Sequence, residues 1–169
     1  MRNKSIFQKK KQQGYSVIEI VISLALIGIL GVGITGFTIQ TFTYSTTSEN
    51  RMKAMMQVEN AGYWVSRDVQ MSANITLGEY AGFPLELIWT DTDQNEYQVS
   101  YTLNGSEIKR SVAKNGQENL HTLIAQSINP AINLTNFTYT DGLLVFQVTA
   151  TLGSNDVSRT YQIKKRLEF

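Results

Sequence analysis

Glu19 stands out first among the residues that could do chemistry, because it is the only charged side chain between Tyr15 and Ser48. Its neighbours are apolar, and a carboxylate at the centre of a membrane helix costs about 2.5–3.5 kcal/mol on insertion scales. Such a group is expected to find a partner. Alternatively, Glu19 lies close enough to a membrane surface to be solvated. The residues alone leave both possibilities open.

Other reactive side chains are scarce. The chain has no cysteine and a single histidine, His121. This excludes disulfides, thiol nucleophiles and thiolate metal sites, and it leaves little scope for imidazole chemistry. No G-x-S-x-G, P-loop or dinucleotide-binding pattern occurs either. We therefore expect no catalysis, no metal site and no cofactor.

Residues 91–96, DTDQNE, begin like a calcium-binding loop. The loop lacks the glycine needed at its sixth place, and Thr102 stands where a bidentate glutamate should be. We predict a solvated hairpin loop here, with calcium binding as the less favoured alternative.

Two basic clusters lie after the first fourteen residues. They are Lys109, Arg110 and Lys114, and Lys164, Lys165 and Arg166. If adjacent strands brought the clusters together, they could contact DNA phosphates; otherwise they form a solvated or salt-bridged strand face. Residues 15–169 carry ten bases and fourteen acids, a formal charge of −4. This mildly acidic balance gives no bulk reason to expect a nucleic-acid partner.

The segment that must position Glu19 is an apolar run over residues 20–39. The segment from Tyr15 to Phe37, which includes most of this run, has 23 residues. As a helix it is about 34 Å long, enough to cross a bilayer. Five basic residues in the first fourteen positions place the N-terminus in the cytoplasm. A cleaved secretory signal peptide is the main alternative, but its apolar run would be shorter and would end at a small-residue cleavage site.

The hexapeptide at residues 14–19, GYSVIE, resembles the cleavage and methylation motif of type IV prepilins. Tyr15 stands where phenylalanine is more usual, Ser16 replaces threonine and Val17 replaces leucine. A basic leader precedes the motif and an apolar run follows it directly. In this combination the chain resembles a type IV pilin or pseudopilin precursor.

The resemblance implies that prepilin peptidase cleaves between Gly14 and Tyr15 and methylates the new amine of Tyr15. The membrane helix then stays on the mature protein, in the cytoplasmic (inner) membrane, with the head outside. Glu19 would pair with the N-terminal amine of a neighbouring subunit during filament assembly. The implied partners are the peptidase, other pilins or pseudopilins and the inner-membrane assembly platform.

A second helical half follows the membrane segment. Apolar residues at i, i+3 and i+4 steps predict a stripe that packs under the head, together with Trp64: Met52, Met55, Val58, Gly62, Val65 and Val69. Charged residues are predicted on the opposite, solvent face: Arg51, Lys53, Glu59, Arg67 and Asp68. We expect one helix from about Ser16 to Met71.

The remaining residues alternate with a period of two, typical of strands. Residues 96–103 and 106–113 flank Asn104-Gly105, which predicts a hairpin with a type I′ turn, and Asp141-Gly142 predicts another between residues 136–140 and 143–152. Further strands are expected over residues 84–90 and 158–167. Residues 118–128 fit a short helix or a loop with a strand piece.

These elements predict an α+β fold, with a long N-terminal helix packed on an antiparallel β-sheet head. We divide the chain into a leader (1–14), a transmembrane assembly helix (15–43), its amphipathic continuation (44–74) and a β-rich head (75–169).

The order of residues in the head is similar to that of the J-type minor pseudopilins of type II secretion and related minor pilins. Residues 101–105, Ile108 and Arg110, Leu123-Ile124 and residues 137–139 carry this looser resemblance. It implies a structural minor subunit of a secretion or pilus-like filament. The alternative is a binding module at a filament tip, such as an adhesin or a DNA receptor in competence.

Overall fold

The computed structural model describes residues 16–165, apart from the side chain of Asn119. Within them one helix precedes eight antiparallel strands, so the predicted α+β fold with a long N-terminal helix is confirmed. The elements are α1 (Val17–Met71), β1 (Asn74–Gly78), β2 (Gly82–Thr90), β3 (Glu96–Asn104), β4 (Glu107–Lys114), β5 (Gln117–Ala125), β6 (Asn136–Thr140), β7 (Leu143–Leu152) and β8 (Asn155–Lys164).

Helix α1 runs for 55 residues. Ser16 precedes it at the N-cap position, and its carbonyl accepts hydrogen bonds from the N–H groups of Glu19 (3.0 Å) and Ile20 (3.3 Å). At the other end, the Ser72 hydroxyl donates to the Val69 carbonyl at 2.8 Å. This bond satisfies one of the last carbonyls of the helix, which have no partner within it.

The chain divides into two compact units, Met1–Tyr44 and Ser45–Phe169. The described residues of the first unit are helical after Ser16, and all of them are exposed. Five hydroxyl groups on this helix each donate to the carbonyl four residues earlier: those of Ser23, Thr35, Thr38, Thr41 and Thr43. The helix therefore satisfies these five hydroxyl groups internally, as a membrane requires. By length and composition it can cross a membrane.

In the second unit, one side of α1 packs against the strands. Its buried residues are Ala54, Val58, Ala61, Gly62, Val65, Asp68 and Val69. The predicted stripe was wrong for Met52 and Met55, which are 64% and 41% exposed. Ala54 and Ala61 take the buried positions instead.

Asp68 is a second correction, because it was predicted on the solvent face and is fully buried. The spacing of apolar residues did not reveal this, since the partners of Asp68 come from strands distant in sequence.

The strands form two sheets, a five-stranded sheet in the order β1-β2-β3-β4-β5 and a three-stranded sheet in the order β6-β7-β8. Both orders follow the chain because tight hairpins join consecutive strands. Phe137 of β6 packs between Phe83 of β2 and Phe146 of β7, with ring centroids 4.7 and 4.3 Å away. The two sheets and α1 thus contribute to one core.

The two predicted hairpin turns have different outcomes. Asp141 and Gly142 both have positive φ (52° and 78°), so the predicted turn is confirmed, and its φ values are those of a type I′ turn. In the other hairpin Asn104 pairs with Glu107, which makes Gly105 and Ser106 the central residues. Only Gly105 has positive φ (58°), as in a type II′ turn. The prediction of a type I′ turn centred on Asn104-Gly105 was therefore wrong.

Residues 117–125 form strand β5. For residues 118–128 the sequence had allowed either a short helix or a loop with a strand piece. Strand β8 ends at Lys164, before the predicted Leu167, which lies outside the described residues. Strand β1 was not predicted.

Candidate functional site

The predicted processing residues Gly14 and Tyr15 lie outside the described residues. Glu19 lies in the first turn of α1 and is exposed. A carboxylate is favoured there, because the helix dipole and the unpaired N–H groups of the first turn are positive. The spacing from Ser16 to Glu19 is also that of a capping box.

Glu19 has no ion-pair partner among the described residues, and Ser16–Tyr44 contains no other charged side chain. The large apolar side chains around it are exposed, from Val17 to Phe42. Such a surface is stable in water only when something apolar covers it, so this helix is built to lie in lipid or against other helices. A carboxylate in that setting can form an ion pair with a cationic group of another chain.

The second unit contains a buried charge cluster centred on Asp68, with Arg67 and Trp64 from α1, Tyr101 from β3 and Arg110 from β4. Asp68 Oδ2 accepts hydrogen bonds from the Tyr101 hydroxyl (2.5 Å) and Arg110 Nε (2.6 Å). Asp68 Oδ1 accepts from Arg67 Nε (3.1 Å) and Nη2 (3.0 Å). Both carboxylate oxygens are therefore satisfied, as a buried charge requires.

Trp64 contacts both arginines of the Asp68 cluster. The guanidinium carbons of Arg67 and Arg110 lie 4.2 and 4.9 Å from its ring centroid, within cation–π range. Arg67 is half exposed, whereas the Arg110 side chain is 6% exposed.

The environment of the cluster raises the pKa of two of its groups, Tyr101 and Arg110. Burial raises the pKa of the Tyr101 hydroxyl, and the charge of Asp68 and its hydrogen bond raise it further. For Arg110, burial lowers the pKa, but the hydrogen bond and charge of Asp68 outweigh this and the net pKa is raised. Neutral Tyr101 and charged Arg110 thus connect the last turns of α1 to β3 and β4. Their role is to position the helix on the sheet.

Sequence reasoning noticed Tyr101, Arg110 and the Arg67-Asp68 pair but did not bring them together. In the observed register Tyr101 lies directly opposite Arg110. The predicted turn, centred one residue earlier, would have placed Tyr101 opposite Ile108. The position of Asp68, three residues after Val65 on the apolar stripe, was the available signal, although it does not name the partners.

In the loop at residues 91–95, the Asp91 carboxylate accepts hydrogen bonds from within the loop itself. Asp91 Oδ1 accepts from the N–H groups of Asp93 and Asn95, both at 2.9 Å, and Oδ2 accepts from Asn95 Nδ2 at 3.0 Å. The Asn95 side-chain and backbone hydrogen bonds lower the pKa of Asp91. Across residues 16–165 no group of three or more His, Cys, Asp or Glu could hold a metal ion.

The two basic clusters lie in different sheets, on β4 and at the end of β8. Arg110 is engaged by Asp68, and Lys109 Nζ lies 3.1 Å from Glu107 Oε2. Lys114 lies over the Tyr97 ring at 5.4 Å, and Lys165 donates to the Ala73 carbonyl. Arg166 is outside the described residues. Among the described residues the two clusters therefore do not lie on adjacent strands of one sheet.

His121 is exposed on β5, with Nε2 3.5 Å from Glu118 Oε1.

Residues 9–35 match the family model of the prokaryotic N-terminal methylation motif. The match supports a type IV pilin-like precursor, and the apolar N-terminal helix is consistent with membrane anchoring. No curated protein and no solved structure matches the chain.

Proposed function

We propose that this chain is a structural minor subunit of a type II secretion or type IV pilus-like filament. The observation that carries the proposal is the methylation-motif match at residues 9–35, directly continuous with an exposed apolar helix that leads into a β-rich head. The helix anchors the precursor in the cytoplasmic membrane and later packs in the filament. The chain performs no reaction; its task is assembly.

Processing precedes assembly in this proposal. Prepilin peptidase cuts between Gly14 and Tyr15 and methylates the Tyr15 amine. The cut leaves that amine four residues before Glu19 on the mature chain. Glu19 then pairs with the amine of a neighbouring subunit, because it has no ion-pair partner of its own among residues 16–165. The assembly platform of the inner membrane and other pilin-like chains are the proposed partners.

The finer assignment to a J-type minor subunit rests on the head. Two of the residues that carry that resemblance, Tyr101 and Arg110, lie side by side and fasten α1 through Asp68. This supports a structural purpose for their spacing within the head rather than a surface role. A DNA-receptor function finds no such support, since Arg110 is buried and the two basic clusters lie in separate sheets.

An intact-mass measurement on the membrane-extracted chain tests the proposal. In cells with prepilin peptidase we expect a chain that starts at Tyr15 and is heavier by one methyl group; without the peptidase we expect the full-length chain. A full-length chain in both strains would leave only a membrane-anchored β domain. A cut after the apolar run would make the protein secreted and would overturn the filament assignment.

A further inference from the structure

Two asparagines of this chain are followed by glycine, Asn104 and Asn115. They lie at the two ends of β4, in the hairpins that join it to β3 and β5, and both are exposed. An asparagine before glycine can lose its side-chain amide, because the next backbone nitrogen can reach the amide carbon and glycine has no Cβ to hinder the approach. The following residue and the exposure are thus alike at the two positions, and their contacts differ.

Asn115 is held by three hydrogen bonds to residues 95 and 96. Its backbone N–H donates to the Glu96 carbonyl (2.8 Å), its Oδ1 accepts from the Glu96 N–H (2.9 Å), and its Nδ2 donates to Asn95 Oδ1 (3.1 Å). Attack by the Gly116 nitrogen requires the side chain to turn, which breaks both side-chain bonds. The connection between β2 and β3 therefore protects this asparagine.

Asn104 has no such restraint. Its side chain makes no hydrogen bond among the described residues, and the N–H of Gly105 donates none either. A Cβ built on Gly105 would meet nothing within 4 Å, so the turn is clear of the surrounding structure. The backbone of Asn104 belongs to the last pair of the β3–β4 ladder, opposite Glu107. Pairs at the end of an element open at a lower free energy than those in its core.

We propose that Asn104 is a site of spontaneous deamidation in the folded protein and that Asn115 is protected from it. The Gly105 nitrogen bonds to Cγ of Asn104, and the bond from Cγ to Nδ2 breaks. The amide nitrogen leaves as ammonia with the proton of the Gly105 N–H, and a succinimide ring remains. One water molecule then opens the ring. Opening at Cγ gives aspartate, and opening at the backbone carbonyl gives isoaspartate, whose main chain runs through the side chain.

Both products change the end of the β3–β4 hairpin. Each adds a carboxylate at residue 104, directly opposite Glu107, and like charges at opposed positions destabilise a strand pair. Isoaspartate also lengthens the main chain by one atom next to the turn. Deamidation therefore acts on the hairpin that places Tyr101 opposite Arg110.

Peptide mapping of the detergent-solubilised full chain, after incubation at mildly alkaline pH, tests the proposal. Trypsin separates the two sites, because Asn104 lies in the fragment of residues 68–109 and Asn115 in that of residues 115–159. Mass spectrometry detects the heavier acid forms, and chromatography resolves aspartate from isoaspartate. We expect Asn104 to convert at least tenfold faster than Asn115, a difference of about 1.4 kcal/mol in the barrier.

The guanidinium-unfolded chain is the matched control, because it keeps both Asn-Gly sequences and loses the folded contacts. There the two sites should convert at similar rates. In the folded chain, Asn95→Ala removes the acceptor of Asn115 Nδ2 and should speed conversion of Asn115 without changing that of Asn104.

Equal rates at Asn104 and Asn115 in the folded chain would overturn the proposal. A tenfold difference that persists in the unfolded chain would also overturn it, since local sequence and not the fold would then set the rates. The inference does not depend on the proposed function.

Discussion

At the scale of single residues, Asp68 shows how much one buried charge depends on its partners. Both arginines that it engages are bound at 2.6–3.1 Å, but one is buried and the other is half exposed. Breaking a buried pair costs about 3–5 kcal/mol because it leaves an uncompensated charge, whereas an exposed pair contributes about 0–1 kcal/mol. The two arginine–Asp68 pairs therefore have similar distances but contribute different amounts to the free energy of unfolding.

We expect Arg110→Met to lower the free energy of unfolding by about 3–5 kcal/mol, because the buried Oδ2 of Asp68 loses its arginine partner. Arg67→Met is the matched control and should cost less than Arg110→Met, because solvent screens the partly exposed Arg67 guanidinium. Chemical denaturation of the detergent-solubilised chain, followed by tryptophan fluorescence, measures both variants. Equal losses would mean that the Asp68 cluster does not depend on the burial of Arg110.

The raised pKa of Tyr101 predicts how the free energy of unfolding depends on pH. An unfolded tyrosine loses its proton near pH 10, whereas folded Tyr101 holds it to higher pH, so the folded state binds more protons above pH 10. The free energy of unfolding should therefore be steady below about pH 10 and fall as the pH rises further. Tyr161 adds to the same fall, since burial and then the charge of Glu59 raise its pKa to about 12.

Unfolding curves at pH 8 to 11 test this slope. Tyr101→Phe removes one ionisable hydroxyl and should flatten the fall, and the Tyr101→Phe/Tyr161→Phe pair should flatten it further. A slope that both variants leave unchanged would contradict the assignment to these tyrosines.

At the scale of elements, α1 and β8 meet at a glycine. A Cβ on Gly62 would run into the ring of Tyr161. The Tyr161 hydroxyl also bonds to the Val58 carbonyl (3.3 Å) and to Glu59 Oε2 (3.2 Å), which holds the ring against the helix. The close approach of helix and strand thus requires glycine at this position.

We expect Gly62→Ala to destabilise the fold by about 1–3 kcal/mol, as overpacking does, although alanine favours a helix by about 1 kcal/mol. Gly31→Ala is the matched control on the same helix, because nothing lies within 4 Å of its added Cβ. Thermal unfolding followed by circular dichroism should separate the two variants. A stabilised Gly62→Ala chain would show that the Tyr161 ring is free to move away.

At the scale of the whole molecule, the two halves of α1 serve different environments. The first half is exposed over its whole described surface, and the second half is buried on one side against the strands. A variant at Glu19 should therefore affect assembly and leave the fold of the second unit unchanged.

We expect Glu19→Ala to remain membrane-bound and to unfold like the parent chain. It should be lost from purified filaments, because it removes the proposed acceptor for the N-terminal amine of a neighbouring subunit. Thr35→Ala is the control, since the Thr35 hydroxyl is satisfied within the helix by the Gly31 carbonyl (2.8 Å). Immunoblots of membrane and filament fractions measure both. Normal incorporation of Glu19→Ala would remove its proposed role.

Local sequence was sufficient for much of this protein. The apolar run, the motif around Glu19 and the alternating segments after residue 74 determined one long helix and an antiparallel β head, because hydrophobic period and turn residues act over a few neighbours. The turn at Asp141-Gly142 was predictable for the same reason: both residues tolerate positive φ.

Tertiary structure alone decided which residues meet. The exposure of Met52 and Met55, the burial of Asp68 and the strand character of residues 117–125 depend on how α1 is rotated against the sheets and on which strand lies beside which. The turn at Gly105-Ser106 sets the register that places Tyr101 opposite Arg110. A charged side chain can be buried only where distant partners satisfy it, and no local pattern records where those partners will lie.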